Sequence, residues 1–524
     1  MIEEHPDLDS SSGEGWHPEP ELLDIRDEAT SRPALERLGA AAWSAALDYV
    51  YDHGLTRAIG APADYAELRE VFFGPSRKPA PAPQVATTSD ELIEEFRTRL
   101  APHQANAWHP RAYAYFTPIP LWASIVGELF SQVVHQGVDV WHCSPSGALV
   151  EEEAIGWLCD LVGYDERAFG LFTSGGVMAN IMALTVARDI GLRRALCLDR
   201  PPRGLELEGV RVYASDQSHF SIQRSLDTLG FPAGTLVPVA SDERFRLQAG
   251  PVAEAVARDR ATGLLPLAIV ATAGTTNTGA VDVLGDLADL AEREGLWLHV
   301  DAAYGGAVRL SERLAGQLDG LERADSITID PHKWFFQAYD IGGLLLRDGS
   351  LLEATFSYRP EYYRGSGDPG RAPDAHGSDE LDFYRRSMEG TRRQRALKLW
   401  LSWKHLGTPG LGRLVEKTVE LASLLKEKVR MAEDFELAEE SNLSVVCFRH
   451  LPAGADGTDD AGRDAVDIHQ DALQIALQHS GRGFITTTRL RGRTWLRAGI
   501  LNHTATPADL DLLIEALRDL APGR

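Results

Sequence analysis

The fold class follows from one stretch, LAIVATAGTTNTGAVDVLGDLADLAEREGLWLHVDAAYGG (267–306). Its two apolar runs, LAIVATAG (267–274) and LWLHVDAAY (296–304), flank a segment whose apolar residues have helical spacing. Two buried strands joined by a crossover helix are typical of a parallel sheet that is covered by helices on both faces. We therefore predict an α/β fold around this unit.

The same alternation continues on both sides of this stretch. Further β-rich runs are FGLFTS (169–174), RVYAS (211–215), DSITID (325–330) and IGGLLLRD (341–348). Helical segments follow the first two of these runs, as expected for strands joined by crossovers. One large α/β domain is therefore predicted over residues 111–400.

The flanking regions have a different pattern. Residues 1–110 hold an acidic tail, helical stretches and the Pro-rich connector GPSRKPAPAPQVATTSD (74–90). These helices are too few and too separated to form a core alone, so we expect them to pack on a second subunit. Residues 392–432 predict long helices. Residues 401–524 combine strands with a final helix, which predicts a small α+β domain.

Charge and composition narrow the classes of function. The 524 residues include 52 Lys and Arg against 77 Asp and Glu, a formal net charge of −25. This sign disfavours nucleic acid and anionic membranes as partners, because negative groups repel each other. The cysteines are widely spaced, no apolar run reaches about 18 residues, and the acidic start differs from a secretory signal. We expect a reduced, cytoplasmic protein without a metal site.

The motif TSGGVMAN (173–180) joins the end of a strand to the start of a helix. Backbone N–H groups and the helix dipole converge at such a turn, so Gly175, Gly176 and Val177 form a candidate anion site. An ordinary strand-to-helix turn is the alternative. Asp301 ends another strand, at the edge where ligands of open α/β sheets bind. A carboxylate buried there needs a partner, and a helix cap without a catalytic role is the alternative.

The motif DSITIDPHKWFF (325–336) places Lys333 after a strand, beside three aromatic residues. Apolar surroundings lower the pKa of an ammonium group and make the amine nucleophilic, so we predict a lowered pKa for Lys333. A surface lysine is the commoner alternative, but the neighbouring Asp330 and His332 suit a phosphate-binding site. His219 in SDQSHFS (215–221) also follows a strand, and a structural histidine is the alternative there.

Together these groups suit one cofactor. An anion cradle, a buried acid, a lysine and a histidine all follow strands of one predicted sheet. Pyridoxal 5'-phosphate (PLP) needs a phosphate site, an amine that reacts with its aldehyde and an acid that pairs with its pyridine nitrogen. The sequence therefore predicts a PLP enzyme.

The chain resembles a known family over residues 35–520. The motifs that carry the resemblance occur in the order NAWHPRAYAYF, SPSGALVEEEAIGWL, TSGGVMAN, SDQSHFS, ATAGTTNTGAVD, WLHVDAAYGG, DPHKW and RRQRALKLW. They are similar to those of the group II PLP-dependent amino-acid decarboxylases, of the aromatic-L-amino-acid decarboxylase kind. The resemblance implies a fold-type I, mainly parallel seven-stranded sheet. It also implies a homodimer with active sites at the subunit interface, which converts an L-amino acid to an amine and CO2.

Matching motifs imply roles for individual residues. Lys333 is similar to the family's Schiff-base lysine, Asp301 to the acid that pairs with the pyridine nitrogen, and His219 to the histidine stacked on the cofactor ring. The remaining cofactor contacts implied by the resemblance are Gly175, Gly176, Val177, Thr276, Ala303, Asp330 and His332. With the lysine, the acid and the histidine all present, an inactive relative is the least favoured alternative.

The group that protonates the product carbon is less defined. In the family a tyrosine on a loop serves this step, and Tyr384 is the match, one residue short of the usual spacing to Arg392. Rival tyrosines nearby are Tyr358, Tyr362 and Tyr363. If Phe383 held the position instead, the chain would resemble relatives that use oxygen to form an aldehyde, ammonia and peroxide. This oxidative reaction is therefore one alternative, and another PLP chemistry such as transamination is a second.

Substrate specificity stays open between two classes. The resemblance places His109 and Phe116 in the substrate pocket. Asp139 stands where relatives with aromatic substrates carry an aromatic or apolar residue. A carboxylate at this position can pair with a polar or cationic substrate side chain, or it can turn away to a neighbouring arginine or to water.

Overall fold

The computed structural model describes residues 19–23, 26–53, 59, 64–358, 381–438, 443–452 and 460–521. The chain separates into two compact units, Met1–Ala112 with Ile475–Phe484 and Tyr113–Gln474 with Ile485–Arg524. No helix of the described residues is long and apolar enough to cross a lipid bilayer.

The first unit is helical. Its helices are α1 (Glu28–Asp48), α2 (Tyr65–Phe73) and α3 (Ser89–Glu95), followed by short helical turns to His103. Helix α3 begins with a capping box, in which the Thr88 hydroxyl accepts from the Glu91 N–H and the Glu91 carboxylate accepts from the Thr88 N–H. Helices α2 and α3 bury none of their residues, so they contribute little to a core.

The second unit is built on a large sheet. Its strands are β1 (Phe169–Thr173), β2 (Val210–Ser215), β3 (Leu236–Val239), β4 (Leu265–Thr272), β5 (Trp297–Asp301), β6 (Ser326–Ile329) and β7 (Gly342–Leu346). The order across the seven strands is β1-β7-β6-β5-β4-β2-β3. Only β7 runs antiparallel to its neighbours, and the other pairs are parallel. The predicted mainly parallel seven-stranded sheet is confirmed.

Helices cover both faces of this sheet, as predicted. The helices of this part of the chain are α4 (Trp122–Val134), α5 (Pro145–Val162), α6 (Gly176–Val186), α7 (Arg193–Ala195), α8 (Ser221–Thr228), α9 (Ala249–Ala261), α10 (Leu284–Glu294) and α11 (Ser350–Phe356), of which α5, α6, α9 and α10 pack directly on the strands. On one face, Leu298 and Val300 of β5 pack in a core with Leu287 of α10. On the other, Leu344 of β7 packs with Met182 of α6.

The C-terminal part of this unit carries a second, smaller sheet. Its strands are β8 (Phe435–Leu437), β9 (Val445–His450), β10 (Thr486–Leu490) and β11 (Arg493–Gly499), paired antiparallel in the order β10-β11-β9-β8. Three helices accompany it, α12 (Ala396–Met431), α13 (Asp460–Ser480) and α14 (Pro507–Leu520). Helix α12 breaks at Gly407, whose φ of 66° is disfavoured for residues with a side chain, so the two predicted helices are separate segments. The predicted α+β pattern is confirmed.

Candidate active site

A cavity of about 360 Å³ opens at the carboxyl edge of the large sheet. Register places Asp301 beside Thr272 of β4 and Thr328 of β6, so the ends of three parallel strands meet there. The predicted cofactor contacts that line the cavity are Gly175, Gly176, Val177, His219, Thr276, Asp301, Ala303, Asp330, His332 and Lys333, together with the predicted substrate contact Phe116. Residues far apart in the sequence thus share one concave surface.

Asp301 is buried and hydrogen-bonded on both oxygens. The residue is 7% exposed. The Asn180 Nδ2 donates to Oδ2 at 2.9 Å, and the Ala303 N–H donates to Oδ1 at 3.2 Å. Neutral donors on both oxygens offset part of the cost of burying a charged carboxylate, and they fix its orientation.

The amine of Lys333 lies beside an acid and over an aromatic ring, with Nζ 5.9 Å from the centre of the Phe116 ring. Its Nζ lies 3.1 Å from Asp330 Oδ2, and its side chain is 24% exposed. Burial lowers the pKa of Lys333, but Asp330 and Asp301 outweigh burial and raise it above the usual value. The predicted lowering of the lysine pKa is therefore wrong. The reason is geometric: the neighbouring aromatic side chains, Trp334, Phe335 and Phe336, turn into the core.

The two histidines at the cavity are held in the neutral state. His219 Nδ1 lies 2.7 Å from the Ser221 hydroxyl and accepts from the Ser221 N–H at 3.3 Å. His332 Nδ1 accepts from the Ile341 N–H at 3.3 Å, which leaves Nε2, 3.7 Å from Asp330 Oδ2, as the protonated nitrogen. Burial lowers the pKa of both imidazoles, although nearby acids oppose it.

The turn at the start of α6 has the features of an anion cradle. A Cβ on Gly176 would lie 2.9 Å from Asp330 Oδ2 and 3.4 Å from the Ala303 Cβ, so this close approach requires glycine. No side chain of the described residues caps this helix, so its first N–H groups are available to a ligand. Together with the amine and the buried acid, this uncapped turn fits PLP.

Three predicted residues do not line this cavity in their own chain. Tyr384 lies on the helical turn Phe383–Arg385, and its N–H donates to the Asp139 carbonyl at 3.0 Å. The Asp139 carboxylate forms no ion pair with the described residues. His109 belongs to the first compact unit, where its Nδ1 accepts from the Arg111 N–H at 3.1 Å.

Of the alternatives to Tyr384 as the proton donor, the structure describes Phe383 and Tyr358. Phe383 is fully buried, and the Arg392 guanidinium lies 4.5 Å from the centre of its ring, so Phe383 packs in the core instead of facing a ligand. Tyr358 is 77% exposed. Tyr362, Tyr363 and the predicted surface loop 364–380 lie outside the described residues.

Three residues at or beside the cavity are not among those predicted from the sequence. Tyr304 stacks on Phe116 at 4.2 Å between ring centres. Asn180 lines the cavity and makes the bond to Asp301 described above. Arg497 donates from Nε to the Thr276 carbonyl at 2.9 Å, and its buried Nη2 has no hydrogen-bond partner in the described chain.

A signal for each missed residue was present. The guanidinium of Arg497 lies 4.6 Å from the centre of the Phe116 ring, and the sequence shows this arginine inside the apolar run WLRAGI. Asn180 ends the quoted TSGGVMAN motif, and Tyr304 follows the quoted strand end. Among the described residues, no three His, Cys, Asp or Glu side chains are grouped in a way that could hold a metal ion.

Comparisons with known proteins agree with this geometry. Residues 75–451 match the model of the pyridoxal-dependent decarboxylase conserved domain. The chain is 32% identical over 439 residues to an aromatic-L-amino-acid decarboxylase of Bacillus atrophaeus, covering 84% of this chain and 87% of the relative. It is 33% identical over 442 residues to an L-2,4-diaminobutyrate decarboxylase of Rhizobium meliloti (strain 1021), covering 84% of each chain.

A solved structure is similar along nearly the whole chain. The crystal structure of Oryza sativa TDC with PLP and tryptamine superposes with a TM-score of 0.83 at 26% identity, covering 93% of this chain and 97% of that chain. The family model spans more than half of the sequence, and the cavity offers the groups that PLP needs. The chain therefore belongs to the pyridoxal-dependent decarboxylase family and is a PLP-dependent amino-acid decarboxylase.

Proposed function

We propose that Lys333, Asp301 and His219 are the catalytic residues for decarboxylation of an L-amino acid. The observation that supports this most is that an amine, a buried carboxylate and an uncapped helix N-terminus share one cavity. When bound, PLP supplies an aldehyde that reacts with amines and a ring that accepts electrons. The chain supplies orientation, charge and the positions of protons.

Asp301 is proposed to pair with the protonated pyridine nitrogen. A charged carboxylate beside the nitrogen raises the pKa of the pyridinium and keeps it protonated. Lys333 is proposed to supply the amine that holds the cofactor. Asp330 Oδ2, 3.1 Å from Nζ, holds the ammonium in place until it loses the proton. Ala303 and Thr276, which line the same cavity, are proposed to contact the ring.

The phosphate is proposed to bind at the start of α6. Gly176 and Val177 present backbone N–H groups there, beside Gly175, whose own N–H donates to the Thr173 hydroxyl at 3.3 Å. The positive end of the helix dipole adds to the attraction. The protonated Nε2 of His332 is a further donor beside this turn. Local donors can therefore bind an anion even though the whole chain carries a net charge of −25.

The substrate carboxylate is proposed to meet Arg497. Burial lowers the pKa of this guanidinium, and no carboxylate in the described part of the chain forms an ion pair with it. Its free Nη2 can bind an anion placed near Phe116. Holding the carboxylate perpendicular to the cofactor ring would favour loss of CO2 over transamination, because bond cleavage depends on orientation.

We also propose a cytoplasmic homodimer, with residues 1–110 joining the subunits, residues 111–400 binding PLP and residues 401–524 forming the small domain. Helix α4 supports the dimer, because Leu129, Phe130 and Val133 are 54%, 50% and 76% exposed. In such a dimer, Tyr384, His109 and Asp139 would serve the partner's cavity, with Tyr384 as the proton donor to the product carbon. All four cysteines are free thiols, which suits a reducing compartment.

One set of assays tests the proposal. Purified chain with PLP should absorb visible light, and borohydride should fix the cofactor on the peptide that contains Lys333. Mass spectrometry of products from aromatic and cationic L-amino acids should then find amines and CO2. Oxygen-dependent aldehyde and peroxide would instead support the oxidative reaction, and transfer of the amino group to 2-oxoglutarate would support transamination. Failure to bind PLP would contradict the assignment of the cavity.

A further inference from the structure

The buried side-chain amide of Asn180 links Asp301 to His219 through hydrogen bonds. Asn180 of α6 is 1% exposed and makes four hydrogen bonds. Its Nδ2 lies 2.9 Å from both Asp301 Oδ2 and Ser221 Oγ. Because a carboxylate only accepts, the amide must present its nitrogen to Asp301, and its oxygen must face the opposite way.

The oxygen of this amide is bound by two strand residues. His299 Nε2 lies 3.0 Å from Asn180 Oδ1, and the Thr328 hydroxyl donates to the same oxygen at 2.6 Å. His299 therefore carries its proton on Nε2. Its Nδ1, 2.9 Å from Ser326 Oγ, accepts from that hydroxyl, whose oxygen accepts from Trp297 Nε1 at 2.8 Å. Burial lowers the pKa of His299 to about 4, which keeps the ring neutral.

The nitrogen of the amide determines which group donates in the hydrogen bond between Ser221 and His219. Ser221 Oγ accepts from Asn180 Nδ2, so its own proton is free to point at His219 Nδ1, 2.7 Å away. The Ser221 N–H donates to the same Nδ1. His219 therefore carries its proton on Nε2, which is bonded to no described residue while the ring lines the cavity.

From this geometry we infer that Asn180 is a positioning residue. It orients the Asp301 carboxylate and, through Ser221, holds His219 in the neutral state with the proton on Nε2, which leaves that N–H to the bound cofactor or substrate. The inference rests on the proposed function in one respect, that Asp301 and His219 face the cofactor. A buried asparagine that served the fold alone would not need this directed order of donors and acceptors.

Other charged groups also act on His219. Asp301 and Asp330 raise its pKa, whereas Lys333 and Arg224 lower it, and burial is the largest influence. None of these groups bonds the ring nitrogen Nδ1, so the tautomer depends on Ser221. Substitution of Ser221 therefore tests the effect of the hydrogen bond alone, because it leaves the surrounding charges unchanged.

The test uses the full chain labelled with ¹⁵N-histidine, both with PLP and after its removal. Nitrogen shifts of His219, assigned with a His219→Gln variant, report the tautomer and the pKa. Wild type should show Nε2–H. Ser221→Ala removes a donor to Nδ1, so the Nδ1–H form should gain population and the pKa of His219 should rise by about one unit.

The matched control is Thr328→Val. It removes an equally buried hydroxyl from the same amide oxygen but leaves the path to His219 intact, so the His219 signals should not move. Asn180→Leu should also shift His219 and weaken PLP binding about tenfold in equilibrium dialysis, because Asp301 loses a donor. If Asn180→Leu does not fold, Ser221→Ala decides the question alone.

Three results would overturn the inference. They are a wild-type His219 protonated on Nδ1, a Ser221→Ala protein with unchanged His219 signals, and a Thr328→Val protein that shifts as far as Ser221→Ala. The histidine signals in cofactor-free protein do not depend on turnover. Loss of the proposed function in the amino-acid screen would therefore be distinguishable from failure of this hydrogen-bond chain.

Discussion

Two regions of the cavity contrast, the Asp301 side (Asn180, Ser221, His219, Asp301) and the Asp330 side (His332, Lys333, Asp330). Asp301 is the last residue of β5, and Asp330 follows the neighbouring strand β6. On the Asp301 side, neutral groups donate to both carboxylate oxygens. On the Asp330 side, one oxygen pairs with an ammonium and the other, Oδ1, is buried without a partner in the described chain. The first side is preorganised before a ligand binds, whereas the second must exchange partners, which suits the side that carries the reactive amine.

The largest expected effect comes from the Asp330 side. Lys333→Ala removes the amine that holds the cofactor, so activity should fall by about a thousandfold or more, as for other nucleophile deletions. The purified variant should lack visible absorbance that borohydride bleaches. Lys404→Ala, which changes an exposed lysine over the Trp400 ring, is the control and should behave as wild type. A Lys333→Ala protein with bleachable colour would mean that another lysine holds the cofactor.

His299, which bonds the Asn180 amide oxygen next to the Asp301 side, should instead make the stability of the fold depend on pH. Burial lowers the pKa of His299 to about 4 in the folded chain, whereas the unfolded chain takes up this proton near pH 6.5. Below that pH the unfolded state binds more protons, so the free energy of unfolding should fall as the pH drops from 6.5 towards 4. The loss from His299 is about 3 kcal/mol, because each pKa unit corresponds to about 1.4 kcal/mol.

Urea unfolding of cofactor-free protein between pH 7 and pH 4 measures this loss. His299→Gln should remove about 3 kcal/mol of the pH-dependent change, even though it lowers stability at neutral pH. His405→Gln, at an exposed position on α12, should leave the pH dependence as it is in wild type. An equal slope in wild type and His299→Gln would mean that His299 is not held neutral in the folded chain.

Local pattern predicted most of the fold. The apolar runs of β1, β2, β4, β5, β6 and β7 were each read directly from the sequence, because these strands are buried on both faces. Strand β3 was missed, since it is an edge strand of four residues with a proline in it. Strands β8 and β10 were missed for a related reason: β8 has three residues and β10, TTTRL, is only half-buried.

Motifs located the cavity but not its electrostatics. Side-chain direction decides the pKa of Lys333, and direction cannot be read from neighbours in sequence, so Trp334 misled the prediction. Asn180 lies 121 positions from Asp301, and only the packing of α6 on the sheet brings them together. A weak signal existed, because His299 and Asp301 alternate with apolar residues and therefore share one face of β5.

A smaller effect should distinguish the influence of Asp330 on the pKa of Lys333 from that of Asp301. Asp330→Asn removes the nearer of the charges that raise the pKa of Lys333, while burial still lowers it, so that pKa should fall. Reductive alkylation of Lys333 in cofactor-free protein, followed by mass spectrometry across pH, should show its midpoint shifted down by about one unit. Asp319→Asn, at an exposed position, is the control. An unchanged midpoint would mean that Asp301 alone sets the charge of the lysine.

The smallest expected effect lies outside both sides of the cavity. Asp139 carries a carboxylate with no ion pair among the described residues, on a segment whose carbonyl binds the Tyr384 N–H. If this segment reaches the cavity of a partner subunit, its charge selects polar or cationic substrates. Asp139→Phe should then shift the ratio of kcat/KM towards aromatic substrates several-fold, about 1 kcal/mol or more, because a buried cation would lose its partner. Asp139→Asn should lower kcat/KM for the cationic substrate without improving the aromatic one. An unchanged substrate profile in both variants would place specificity entirely within the cavity that Asp301 and Asp330 share.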